Sequence, residues 1–256
     1  MKSLTRILSG TVLLAMYLVS GMAQAQIYRV VHCPWGCPVG ASEDNHLILR
    51  PIYALSYNTR TKSADWAAYQ VTADSVGIAS SLSRQPLADD YVSETLEPED
   101  FVSASSLELN RGQYVPLVNF AATPYWQDVN YLTNAVARSN SLSQGPWYGL
   151  EWAIRNLVNR QQALYVLTGP IYDEQATALR LATDKIHQVP DGFFKVVVTP
   201  DGESAVFRFT QNTSVGVHHC ALQSSLEEIE ALTGLTLFPE RGQPLDASLA
   251  GDLGCR

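Results

Sequence analysis

The stretch from Gly145 to Arg160 constrains the fold of this chain more than any other. Pro146 suits the first turn of a helix, where its missing N–H removes a donor that has no intrahelical partner. Trp147, Leu150, Ile154, Leu157 and Val158 recur at spacings of three and four and define one buried stripe. Such a stripe must be covered by a second layer. The segments able to supply it are rich in β-branched and aromatic residues: Leu47–Tyr57, Asp65–Thr72, Ala163–Thr168, Gly192–Val198 and Ala205–Thr210. A second helix is predicted over Leu226–Thr233, opened by Ser225 and Glu228 at the spacing of a capping box. Ser75–Asp90 has no period and reads as a long loop. Strands dispersed among helices predict a mixed sheet with helices on its faces. With 46% hydrophobic and 16% charged residues the chain has the apolar surface for a core, which excludes a disordered or low-complexity protein.

The N-terminus reads as an export signal. Lys2 and Arg6 precede an apolar run from Ile7 to Ser20, and Ala23-Gln24-Ala25 offers a small-x-small cleavage site. The run is too short for a membrane anchor, and no later segment is long and apolar enough to span a bilayer. Cleavage after Ala25 leaves residues 26–256 as one domain and moves the net charge from −8 to −10, since both lost charges are basic. The expected location is the periplasm or the extracellular space. There the four cysteines read as disulfides. Cys33 and Cys37 suit a small local loop, and Cys220 with Cys255 would tie the C-terminal tail to the body. A zinc site is the competing reading, although paired CxxC motifs are missing and His218-His219-Cys220 lacks a second ligand cluster. The acidic balance argues against nucleic-acid binding by bulk charge, so a polyanion site would need a local arginine cluster.

Glu151 and Arg155 stand four apart on the first helix, beside its apolar stripe. Taken alone they describe a surface ion pair worth about 0.3–0.5 kcal/mol. The surrounding sequence gives them another meaning. Leu109-Asn110-Arg111-Gly112-Gln113-Tyr114-Val115-Pro116-Leu117 resembles the D-R-G-H-x-A-P-L segment of the DNA/RNA non-specific endonucleases, secreted nucleases of the ββα-metal class. Trp126–Asn134 resembles that family's W-x-x-x-N-Y-L-S-N, and Ser143-Gln144-Gly145-Pro146-Trp147 its N-Q-G-x-W, with Glu151 and Arg155 at the family's offsets. Tyr57-Asn58, Trp66-Ala67-Ala68-Tyr69, Thr168–Tyr172, Phe193-Phe194-Lys195, Phe209–Asn212 and both cysteine pairs extend the likeness over nearly the whole mature chain. The resemblance implies an α+β, ββα-metal nuclease fold: a central, mostly antiparallel sheet, helices on both faces, and a site built on a short ββα unit.

It also implies phosphodiester hydrolysis of DNA or RNA. A histidine takes the proton of the attacking water. Magnesium, held by one asparagine and several waters, neutralises charge at the phosphate, and a helix glutamate orients metal-bound water. Arginines grip the phosphate. Carried onto this chain, Arg111, Glu151 and Arg155 match, and Arg84 is the candidate for an upstream phosphate-gripping arginine. The general-base position holds Gln113, and the metal-ligand position holds Ser143. The leading aspartate is Asn110, and the usual Pro-Gln is Ala137-Arg138. An amide cannot accept the proton, so roughly 10²–10⁴-fold of general-base catalysis should be lost. Ser143 reaches a cation only through water, as does Glu151 in this family, so Mg²⁺ binding should be weakened. Of the five histidines, His187 suits a core hydrogen bond, and His32, His46, His218 and His219 stand far from the signature in sequence. Three readings result: a nuclease scaffold that has lost most catalysis and keeps arginines for phosphate, a metal-dependent endonuclease of reduced or altered activity, and a partner-binding or structural protein. No feature of the sequence sets an oligomeric state.

Overall fold

The computed structural model describes residues 26–101, 108–173, 177–180 and 183–255. The candidate signal, residues 1–25, lies outside them. In chain order the described residues form β1 (His46–Arg50), β2 (Tyr53–Asn58), β3 (Ser63–Thr72), β4 (Leu109–Gln113), β5 (Ala135–Ser139), α1 (Asn140–Gln144), α2 (Pro146–Gln161), β6 (Ala163–Ile171), β7 (Thr177–Arg180), β8 (Ile186–Val189), β9 (Gly192–Val198), β10 (Ser204–Thr210) and α3 (Leu226–Thr233). The main sheet has six strands in the order β1-β2-β3-β6-β9-β10. Every neighbouring pair in it is antiparallel, so the expected mixed sheet is an antiparallel one. The predicted single strand Leu47–Tyr57 is a hairpin. Pro51 cannot donate to a ladder, and the chain turns at Pro51-Ile52 so that Arg50 pairs with Tyr53.

Side-chain alternation sorts the sheet into two faces. Tyr53, Leu55, Ala67, Tyr69, Leu164, Val166, Phe193, Val197, Phe207 and Phe209 share one core with Trp147, Leu150, Ile154, Leu157 and Val158 of α2. Ala54, Trp66, Ala68, Leu167, Phe194, Val196, Val198 and Val206 share the other with Ile229 of α3 and Cys33 and Cys37. The β2–β3 register slips between Ser56 and Tyr57, leaving Asp65 as the extra residue. That bulge keeps both Ala64 and Ala67 on the α2 face.

Both disulfides form as paired in the sequence reading, Cys33–Cys37 and Cys220–Cys255. Cys220 Sγ is therefore no zinc ligand, although it clusters with His218 and His219. At α3 the Ser225 hydroxyl accepts from Glu228 N at 3.1 Å. The reciprocal half of the capping box is replaced, because the Glu228 carboxylate accepts from Arg208 and Ser224 instead. No helix among the described residues is long and apolar enough to cross a membrane.

Candidate active site

The signature segments fold into a two-stranded hairpin followed by helix. β4 pairs antiparallel with β5, setting Asn110 opposite Arg138, Arg111 opposite Ala137 and Gln113 opposite Ala135. Ser139 caps α1 by accepting from Leu142 N at 3.2 Å. Gly145 then breaks the helix and α2 starts at Pro146. A glycine is required there: a Cβ would lie 2.5 Å from the Val215 carbonyl oxygen. Gln211 fastens the hairpin to the main sheet, accepting from Ser139 N at 2.8 Å and donating to the Ala137 carbonyl at 3.0 Å.

The two faces of the hairpin carry different groups. On one, Arg111 and Gln113 alternate with Ala137 and Ala135 across the ladder. Gln113 Nε2 donates to the Val129 carbonyl at 2.8 Å, so the amide is a donor with no proton to take. Arg111 Nη2 donates to the Arg84 carbonyl at 2.5 Å, and burial together with the Arg84 charge lowers the Arg111 pKa. The structure thus places the Arg111 side chain on the backbone of Arg84. Their loop is pinned on both sides of Arg84. Asn130 Nδ2 donates to the Ser83 carbonyl at 3.0 Å, Leu87 N to the Asn130 carbonyl, and Leu132 N to the Leu87 carbonyl. Beyond it, buried Asp89 accepts from Arg50 at 2.7 Å and from Thr133 at 2.6 Å.

The other face holds contacts that the sequence did not foretell. Arg138 extends from β5 over Gly112 and is 6% exposed. Its Nε donates to Ser143 Oγ at 3.0 Å, its Nη1 to the Gln113 carbonyl at 3.2 Å, and its guanidinium lies 4.2 Å from the Trp147 ring centre. Ser143 Oγ in turn donates to Asn110 Oδ1 at 3.2 Å. On the same Trp147 ring, 4.0 Å from its centre, sits Lys195 Nζ. Lys195 is fully buried and bonds the Glu151 carboxylate, whose second oxygen is 3.9 Å from Arg155. Glu151 and Arg155 are therefore a partly buried pair tied to Lys195 rather than a solvated surface pair. Burial lowers the Arg138 pKa to about 9. Burial first, and the Arg138 charge second, hold Lys195 well below the ordinary lysine value.

No histidine among the described residues hydrogen-bonds to Gln113 or Glu151. His187 is fully buried and its Nε2 accepts from Ala137 N at 3.2 Å, a core role as expected; burial lowers its pKa to about 4. His32 bonds the Arg50 carbonyl and His219 the Leu253 carbonyl.

The donor set as folded does not suit a divalent cation at Ser143. The hydroxyl spends its proton on Asn110 and a lone pair on Arg138; Glu151 Oε1 is bonded by Lys195, while its buried Oε2, 3.9 Å from Arg155, has no hydrogen-bond partner among the described residues. At an effective dielectric of 20, a divalent ion about 4 Å from a guanidinium would meet repulsion of about 8 kcal/mol. In its place the hairpin offers hydrogen-bonded, immobilised cations.

A ββα unit clamped to an antiparallel sheet defines the ββα-metal nuclease fold. The chain belongs to the DNA/RNA non-specific endonuclease family, whose model matches residues 37–242. It is 34% identical to a nuclease of Serratia marcescens over 251 residues, covering 94% of this chain and 93% of that protein. It is 24% identical to mitochondrial endonuclease G of Bos taurus, covering 79% of this chain and 73% of that one. A solved chain from an EndoG/EndoGI complex superposes with a TM-score of 0.65 at 20% identity, covering 82% of this chain and 91% of its own, which shows the shared fold.

Proposed function

We propose that this protein is an exported member of the endonuclease family that binds phosphodiesters of DNA or RNA and hydrolyses them weakly by the family mechanism. The observation that carries the reading is the fixed amide of Gln113, which donates to the Val129 carbonyl where a base should stand. Binding is assigned to Arg84 and Arg111, with Arg155 beside Glu151. The Arg111 guanidinium, bonded to the Arg84 carbonyl and within reach of the Arg84 charge, supplies forked N–H donors for a phosphate, while a body of net charge −10 after signal removal keeps non-specific affinity low. Family membership suggests divalent metal use, and Mg²⁺ would supply charge neutralisation at the phosphate if bound. Here that position presents Ser143 bonded to Arg138.

The reading is tested by restoring the family's groups. Gln113→His, Ser143→Asn and Arg138→Gln in one protein should raise Mg²⁺-dependent nicking of supercoiled plasmid by about 10²-fold or more. A correctly folded triple variant that nicks no faster than wild type would place the defect elsewhere in the cleft and defeat the proposal.

A further inference from the structure

We propose that Arg138 is the resident cation of this site, occupying the place of a divalent metal and making anion binding metal-independent. The inference rests on the preceding assignment of Ser143 to the metal-ligand position, and its own support is geometric. Arg138 is anchored on three sides, by Ser143 Oγ, the Gln113 carbonyl and the Trp147 ring. Its path exists because residue 112 is glycine: a Cβ there would stand 2.9 Å from Arg138 Cζ. Its Nη2 makes no hydrogen bond among the described residues, so one donor pair remains to meet an anionic oxygen. Lys195, across the same ring, spends its charge on Glu151, which leaves Arg138 without a carboxylate partner among the described residues. A buried guanidinium without a counter-ion is costly to fold. Binding an anion would supply the missing partner.

The test separates metal from activity. Free Mn²⁺ is followed by electron paramagnetic resonance as mature wild-type protein is titrated in, and thymidine 3′,5′-bisphosphate binding is measured by calorimetry with Mg²⁺ and with chelator. Wild type should hold no stoichiometric Mn²⁺ up to millimolar concentration and should bind the bisphosphate equally in both buffers. Arg138→Gln with Ser143→Asn should tighten Mn²⁺ by about 10- to 100-fold and make bisphosphate binding chelator-sensitive. One tight Mn²⁺ site in wild type would overturn the proposal without any variant. So would bisphosphate binding that chelator abolishes. Rapid plasmid cleavage in chelator would instead overturn the weak-hydrolysis reading and leave the resident cation standing.

Discussion

Acid should weaken this protein, in good part through the imidazole of His187. His187 lies behind the β4–β5 hairpin, with Nε2 accepting from Ala137 N, the Phe101 ring in a T-shaped contact with it, and the Asp100 charge nearby. Burial pushes its pKa down to about 4 from the ordinary 6.5, and the backbone of Lys62 and Thr61, then the Asp100 charge, oppose this only in part. The folded state therefore keeps a neutral ring while the unfolded chain takes up a proton. The contribution to stability is complete above pH 6.5 and is lost as the pH falls through the window down to about 4. A difference of about 2.5 pKa units corresponds to about 3 kcal/mol in the limit, of which about 2 kcal/mol is lost between pH 7 and pH 5. His187→Gln keeps an acceptor for Ala137 N and does not titrate. Urea unfolding of both proteins at pH 7, 6 and 5, with disulfides intact, should show wild type losing about 2 kcal/mol more than the variant. Parallel stability curves across that range would refute the argument.

Two further substitutions probe how the arginines are held. Asp89→Ala leaves Arg50 as an uncompensated charge under the Tyr91 and Tyr131 rings and should cost about 3–5 kcal/mol in urea unfolding. A loss below 1 kcal/mol would show that the pair does not secure the loop. Gly112→Ala puts a methyl 2.9 Å from Arg138 Cζ; it should cost about 1–3 kcal/mol, seen as a lower Tm, and an unchanged Tm would mean the guanidinium does not lie over Gly112.

Much of this architecture was legible in the sequence because periodic burial writes itself into residue order. The α2 stripe and the strands around Phe193 and Phe207 follow from it; the Ser225 cap follows instead from the Ser225–Glu228 spacing, of which only the Ser225 half forms. The β4–β5 hairpin was not legible by period: Leu109–Gln113 carries Asn, Arg, Gly and Gln, and its pairing depends on Gln211 and on neighbours far along the chain. Family likeness located it instead. Pro51 was a visible signal for the β1–β2 turn, overridden by the apolar character of its flanks. The larger miss was Arg138 and Lys195. A lysine within Gly192–Val198 and an arginine ending Ala135-Val136-Ala137 both sit in apolar runs, and a charge in such a run needs a buried partner. That requirement points to Glu151 for Lys195. For Arg138 the partners are the Ser143 hydroxyl, a backbone carbonyl and an indole face, which no spacing along the chain encodes.

In the proposed site an amide stands where the proton of the attacking water should go. The most direct measurement is the initial rate at which purified mature wild-type protein nicks supercoiled plasmid in Mg²⁺, beside the same protein in chelator. A rate near the chelator control is expected. Rapid Mg²⁺-dependent conversion of the plasmid to fragments would contradict it.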